Sequence, residues 1–272
     1  MDCTIYQGDC LKTLITLPDN SVDAVITDPP YSSGGQSSSS RSAMPSKKYV
    51  QGGTKIQRPD FFGDNKDQWS YLCWCVLWLS ECFRVTKENS PICVFTDWRQ
   101  LAITTLALQS GGWVFRGIVP WDKTEGVRPQ LGRFRNQAEY VLWGSKGDMP
   151  TTRNVKVLPG VYRFFVKQDD KFHLTGKPTE LMEAIVKIAE PNSIILDPFM
   201  GSGTTGVAAL KQGHRFIGVE QSEEYFEIAR QRLQETAENL SPLGNIDTEL
   251  VNINRCSKTL ENYLSALNER FS

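Results

Sequence analysis

The amino-acid sequence predicts an α/β fold, a mostly parallel twisted sheet with helices on both faces. Three observations predict it. Short apolar runs alternate with longer stretches of helical periodicity. Two of those runs end in an acid followed at once by a proline- or glycine-containing turn, the strand-end chemistry of open α/β sheets. The chain has 272 residues, 40% hydrophobic and 22% charged, enough apolar material to cover a sheet on both sides. A single domain over residues 1–272 is expected.

The first predicted strand, residues 22–27, ends before Pro29-Pro30, which cannot donate to a ladder. A helix over 68–83 follows. Its Trp69, Trp74 and Trp78 fall at helical spacing, which favours core or interface packing over a base-stacking platform. Then come a strand at 92–96, a helix at 98–109, and strands at 113–119 and 138–143. Pro178 suits the first turn of a helix over 178–189. A strand at 193–197, a helix at 204–212 stopped by Gly213, a strand at 215–220 and a helix at 223–239 complete the pattern. Residues 257–271 suggest a last helix of no assigned purpose. Periodicity is lost over residues 32–67, where a serine- and glycine-rich run leads into Arg41, Lys47, Lys48, Lys55 and Arg58. Long aperiodic segments in compact domains are usually lids or linkers, so a mobile basic loop is expected here.

Composition narrows the function classes. Thirty Lys and Arg against 31 Asp and Glu leave a net charge of -1, so any nucleic-acid contact must be local. Seven cysteines without paired short spacings argue for buried free thiols in a reducing cytosol and for no metal site. With no signal-peptide pattern and no apolar run near the roughly 20 residues of a membrane span, a cytoplasmic protein is expected.

Two segments carry chemistry. The later one is Asp197-Pro198-Phe199-Met200-Gly201-Ser202-Gly203-Thr204-Thr205, directly after a buried strand. Small residues there let a backbone approach a ligand closely. Glu220, about 20 residues on at the tip of the next strand, can accept hydrogen bonds from both hydroxyls of a ribose. A phosphate-binding P-loop would need lysine after Gly203, where Thr204 stands. Gly201 to Gly206 do match a dinucleotide fingerprint. However, an acid at the strand end suits a cationic or amino-bearing cofactor better than a pyrophosphate, and Phe199 can lie against an adenine ring.

The earlier segment is Asp28-Pro29-Pro30-Tyr31. Its prolines remove two backbone donors, leaving the Asp28 carboxylate and the Pro29 carbonyl as acceptors at a fixed angle. Two acceptors suit an NH₂ group, and Tyr31 offers a face for a planar base.

With these motifs the chain resembles the permuted beta group of S-adenosylmethionine-dependent DNA amino-methyltransferases. Gly8-Asp9-Cys10, Asp28 to Tyr31, His173-Leu174-Thr175-Gly176-Lys177-Pro178, Asp197 to Thr205 and Glu220 carry the resemblance. Leu174 and Gly176 depart from the usual His-Pro-Thr-Gln-Lys-Pro. The resemblance implies a Rossmann-like methyltransferase fold with circularly permuted motif order and S-adenosyl-L-methionine as cofactor. It places Asp28, Pro29, Pro30 and Tyr31 in catalysis. It places Asp9, Cys10, Asp28, His173, Thr175, Lys177, Asp197, Pro198, Phe199, Met200, Gly201, Ser202, Gly203, Thr204, Glu220 and Gln221 around the cofactor, with Lys177 near the methionine carboxylate. The target base would be rotated out of double-stranded DNA. Asp rather than Ser in the catalytic motif implies adenine N6, with cytosine N4 as the alternative. C5 chemistry needs a Pro-Cys nucleophile, and no proline precedes a cysteine here. A non-catalytic DNA-binding regulator is the rival from another class.

DNA contacts are expected from Arg41, Lys47 and Lys48, and from Arg128, Arg133, Arg135 and Asn136, since Arg can fork to guanine or phosphate and Asn can read adenine. A third basic stretch, residues 145–172, holds Lys146, Arg153, Lys156, Arg163, Lys167 and Lys171. The resemblance implies a short target-recognition region over 145–172. It also implies a homodimer and a cognate restriction endonuclease as candidate partners.

Overall fold

The computed structural model describes residues 3–32, 66–127, 129, 131–165, 176–240 and 247–250. Among the described residues nine strands form one sheet: β1 Cys3–Gln7, β2 Ala24–Thr27, β3 Pro91–Thr96, β4 Val114–Asp122, β5 Ala138–Ser145, β6 Tyr162–Arg163, β7 Ile194–Asp197, β8 Arg215–Glu220 and β9 Asp247–Leu250. The helices are α1 Cys10–Leu14, α2 Gln68–Val85, α3 Leu101–Ser110, α4 Thr179–Ile185, α5 Thr204–Lys211 and α6 Glu223–Leu240. The strand order is β6-β4-β5-β3-β2-β7-β8-β1-β9. Of the described strands only β5 runs against the others.

Helices cover both faces, as the sequence predicts. The central strands β2 and β3 are buried along their whole length, because each face meets a helix layer. Alternation sorts their side chains. Ala24, Ile26, Cys93 and Phe95 join one core cluster with Leu181, Ala208 and Leu233 of α4, α5 and α6. Val25, Ile92 and Val94 join the other with Leu14, Trp78 and Leu108 of α1, α2 and α3.

The topology brings the two motifs together. β2 and β7 are parallel neighbours, with Val25 opposite Leu196. From β2 the chain moves outward to β3, and from β7 it moves the other way to β8. The crossovers diverge at this pair, and such switch points are where open sheets place ligands. The carboxyl ends of β1, β2, β7 and β8 therefore share one edge.

Several elements differ from expectation. The helix predicted over 98–109 begins at Leu101, because Asp97 accepts from the backbone N–H groups of Arg99 and Gln100 and shapes the turn before it. The helix predicted over 178–189 ends at Ile185 and finishes as a 3₁₀ turn, Val186–Ile188. Strand 113–119 starts at Val114 and continues to Asp122 in a long hairpin with β5. Trp69 is exposed rather than packed, whereas Trp78 is fully buried. Within the stretch 145–165, Tyr162–Arg163 form an edge strand, β6, beside β4. Five of six described cysteines are buried and unbridged, and Cys73 is exposed. Residues 33–65, with Arg41, Lys47 and Lys48, lie outside the described residues, as do Arg128, His173, Thr175 and the tail from 251 onward. Among the described residues no helix is long and apolar enough to cross a membrane.

Candidate active site

A cavity of about 470 Å³ opens at the shared strand edge. That volume is within the range of small-molecule pockets. Its wall holds Asp9 and Cys10 after β1, Asp28, Pro29, Pro30 and Tyr31 after β2, and Lys177 before α4. Asp197, Pro198, Phe199, Met200, Gly201, Ser202 and Thr204 line it after β7, with Glu220 and Gln221 at the end of β8. Gly203 is not on the wall. It turns the chain into α5 at φ 80°, with Ala229 3.1 Å from where a Cβ would stand.

The two motifs are joined directly. The Thr27 hydroxyl, at the last position of β2, donates to Asp197 Oδ1 at 2.7 Å. The same oxygen accepts from the Phe199 backbone N–H at 3.0 Å. Burial pushes the Asp197 carboxyl up to about 6 despite these bonds. Glu220 accepts from two backbone N–H groups, Gly201 at 3.0 Å and Ser222 at 2.7 Å. Burial carries it up to about 7. The Gln221 backbone also bonds to it, and Glu220 lines the cavity.

Aromatic side chains form another wall. Phe199 packs 5.3 Å from Trp74 and edge-on to Trp78 at 5.2 Å. Its ring is thus partly held by the core while still lining the pocket. The Lys66 ammonium lies 4.5 Å from the Trp74 ring centroid. Asp9 lines the wall and also caps α1, accepting from Lys12 N–H at 3.1 Å.

Asp28 sits in a buried charge network. The Tyr31 hydroxyl donates to Asp28 Oδ1 at 2.6 Å, and Lys177 Nζ donates to Oδ2 at 2.6 Å. Lys177 also pairs with Glu139 of β5 at 3.3 Å, and Lys123 meets the other oxygen of Glu139 at 3.1 Å. Burial works against the Lys177 charge, yet Asp28 and Glu139 hold it above the usual lysine range. Glu139 is likewise buried, and Lys177 and Lys123 hold it below the usual carboxylate range. At Asp28 burial outweighs Lys177 and moves the carboxyl up. Glu139 belongs to no motif singled out in the sequence, and Lys123 only opens the stretch 123–136 read there for DNA contact, with no role of its own. No short spacing announces them, because the β4–β5 hairpin and the fold of Lys177 onto it bring them together. Among the wall residues, Leu11, Lys66, Met182 and Val219 also escaped sequence reasoning, Gly8, Gly176 and Thr205 stood in the motifs without a site role, and Trp74 was read only as a packing residue.

The basic candidates separate by place. β4 runs with β2, so the connection from β4 to β5 leaves the sheet at the cavity edge. Arg133, Phe134, Arg135 and Asn136 there are exposed, and Arg135 donates to the Glu125 carbonyl. Lys146 instead follows β5 at the far edge, because β5 runs the other way. It is buried and donates to the Thr86 carbonyl at 2.8 Å and to Asn20 Oδ1 at 2.9 Å. Arg153 donates to the Ile188 carbonyl at 2.8 Å. These last two spend donors on contacts within the fold.

Known proteins resemble this chain in sequence and fold. Residues 22–231 match the family described as DNA methylase, the N6 and N4 methylases. The Type II methyltransferase M.HinfI of Haemophilus influenzae is 30% identical over 279 residues, covering 91% of this chain and 72% of its own. The M1.HpyAVI–SAM complex is 26% identical with a TM-score of 0.61, covering 86% of this chain and 99% of that one. The PvuII DNA methyltransferase, described as cytosine-N4-specific, shares the fold at a TM-score of 0.64 and 16% identity, covering 90% of this chain and 96% of that one. The family match spans both motifs and the strands that join them, and the chain belongs to the N6/N4 DNA methylases.

Proposed function

We propose that the protein transfers the methyl group of S-adenosyl-L-methionine to N6 of an adenine rotated out of double-stranded DNA. The observation that supports this most is the single cavity lined by both Asp28 to Tyr31 and Asp197 to Thr204. The residues fit the cofactor. The Glu220 carboxylate lines the cavity as an acceptor for ribose hydroxyls, Trp74 and Phe199 offer aromatic surface for adenine, and the cavity volume suits a nucleoside. Asp197, Pro198, Met200, Gly201, Ser202, Gly203, Thr204 and Gln221, with Asp9, Cys10, His173, Thr175 and Lys177, complete that set. When bound, S-adenosyl-L-methionine supplies an electrophilic methyl group.

The chain's own residues do the rest. Asp28 and the Pro29 carbonyl accept the amino hydrogens and aim the nitrogen lone pair, Pro30 fixes their angle, and Tyr31 stacks on the base. Catalysis then rests on positioning and electrostatics. Asp28 in place of Ser supports adenine over cytosine, by the resemblance to the beta group. Asp28 preceding Asp197 in the chain supports the permuted motif order. Arg133, Arg135 and Asn136 project at the cavity edge and suit DNA contact, together with Arg41, Lys47, Lys48 and Arg128. A cytoplasmic homodimer paired with a restriction endonuclease fits this reading.

The test is direct. Duplex DNA methylated by the protein is digested to nucleosides and weighed by mass spectrometry, and N6-methyladenine is expected. N4-methylcytosine without N6-methyladenine would overturn the base assignment. DNA binding without any transfer would overturn the enzyme reading.

A further inference from the structure

We propose that Glu139 is a positioning residue for methyl transfer. It holds Lys177 in place beside Asp28 and keeps the charge around the target amino group balanced. The proposal rests on the methyltransferase reading above and concerns a residue outside both motifs.

The geometry carries it. Glu139 Oε2 lies 3.3 Å from Lys177 Nζ and 3.4 Å from the Tyr31 hydroxyl. Those two groups are the ones bonded to Asp28, each at 2.6 Å. Glu139 thus reaches both partners of the catalytic acid without touching the acid itself. Its other oxygen meets Lys123 at 3.1 Å. Two carboxylates and two ammoniums alternate, so the cluster sums to zero. Their side chains are 22% exposed at Asp28, 19% at Glu139, 17% at Lys123 and 6% at Lys177, which leaves little solvent to screen them.

Balance matters for this chemistry. A target amino group uses Asp28 as an acceptor while positive charge develops on its nitrogen. Without Glu139, Lys177 would keep Asp28 as its carboxylate partner, Lys123 would lose its own, and the cluster would carry a net positive charge. Lys177 would then give its donors to Asp28, and the surplus charge would oppose the cation forming on the nitrogen. With Glu139 in place, Lys177 is shared and Asp28 keeps acceptor capacity. The location agrees. Glu139 is the second residue of β5, opposite Trp121, so the one antiparallel strand begins at the cavity edge and delivers a carboxylate there.

The experiment compares wild type with Glu139→Gln, Glu139→Asp and the double variant Glu139→Gln/Lys123→Gln. Turnover is measured at saturating cofactor and DNA, and cofactor Kd by calorimetry. Glu139→Gln is expected to slow kcat about 10- to 100-fold, the range for a misplaced catalytic group, with cofactor Kd within about threefold. Removing Lys123 as well restores neutrality and is expected to recover at least about half of that loss on a logarithmic scale. Glu139→Asp keeps the charge and is expected to remain within about fivefold of wild type, and it stands as the test if the glutamine variant fails to fold. The inference is overturned if Glu139→Gln turns over within about threefold of wild type, if its loss is not relieved in the double variant, or if Glu139→Asp is as slow as Glu139→Gln. Wild type that methylates no DNA would instead overturn the methyltransferase reading.

Discussion

The strand-end acids of the two halves of the cavity are satisfied in opposite ways. Asp28, beyond β2, is met by side chains, the Lys177 ammonium and the Tyr31 hydroxyl. Asp197, ending β7, is met by the Thr27 and Thr205 hydroxyls and one backbone N–H, all short donors on or beside the sheet, and Glu220, ending β8, by backbone N–H groups alone. Backbone donors are fixed by the sheet and its turns, so that half is preorganised for one ligand. Side-chain donors can shift or be shared, so under the proposed function the Asp28 half would exchange partners when a base arrives. The fold thus uses one device, a carboxylate at the end of a parallel strand, for two tasks set by what surrounds it.

Two substitutions sharpen that division. Asp28→Asn keeps the shape but replaces one acceptor oxygen with a donor beside Lys177. It is expected to lower kcat by about 10³-fold, comparable to losing a preorganised electrostatic contact, with cofactor Kd within about tenfold. Single-turnover methylation with saturating cofactor measures the first, and calorimetry the second. Glu220→Ala should show the opposite split. Losing a charged acceptor of hydroxyl groups is expected to weaken cofactor binding about 10- to 100-fold, while kcat at saturating cofactor stays within about threefold. Variants that moved Kd and kcat together at both positions would break the comparison.

The sequence announced the parallel core because its strands are buried on both faces, and Ala24–Thr27 and Pro91–Thr96 are unbroken buried runs. It announced both halves of the site because each acid ends such a run. It did not announce β1, where Thr4, Tyr6 and Gln7 dilute the apolar signal, nor the two-residue β6 and five-residue α1, too short to show a period. Trp69 misled for a related reason. It occupies the first turn of α2, just after its Asp67 cap, and so points outward before the buried stripe begins. Glu139 and Lys123 were invisible for a different reason. Their pairing depends on β5 reversing direction against β3 and β4, a tertiary fact with no local spacing. Lys177 was found through its motif, but its tie to Asp28 spans 149 positions of chain.

The smallest expected effect is the most discriminating, because it gives two opposite pH trends from one carboxyl. Glu220 is carried from the usual 4.5 up to about 7 by burial, and Asp197 from 3.8 up to about 6. A folded-state value above the unfolded one means that the native protein binds the proton more tightly. The unliganded protein therefore has this contribution in full below about pH 4.5 and loses it as pH rises through about 7. Cofactor binding should run the other way, since ribose hydroxyls donate to the ionised form. Between pH 8 and pH 6 the ionised share of Glu220 falls from about nine-tenths to about one-tenth, so affinity should drop about tenfold. Melting temperature with and without cofactor across pH 5 to 8 measures both trends. Glu220→Gln should flatten the affinity trend while Asp197 still tilts the unliganded stability. If the affinity trend survives that substitution, the proton is held elsewhere, and the backbone-satisfied half is not the part of the cavity that senses pH.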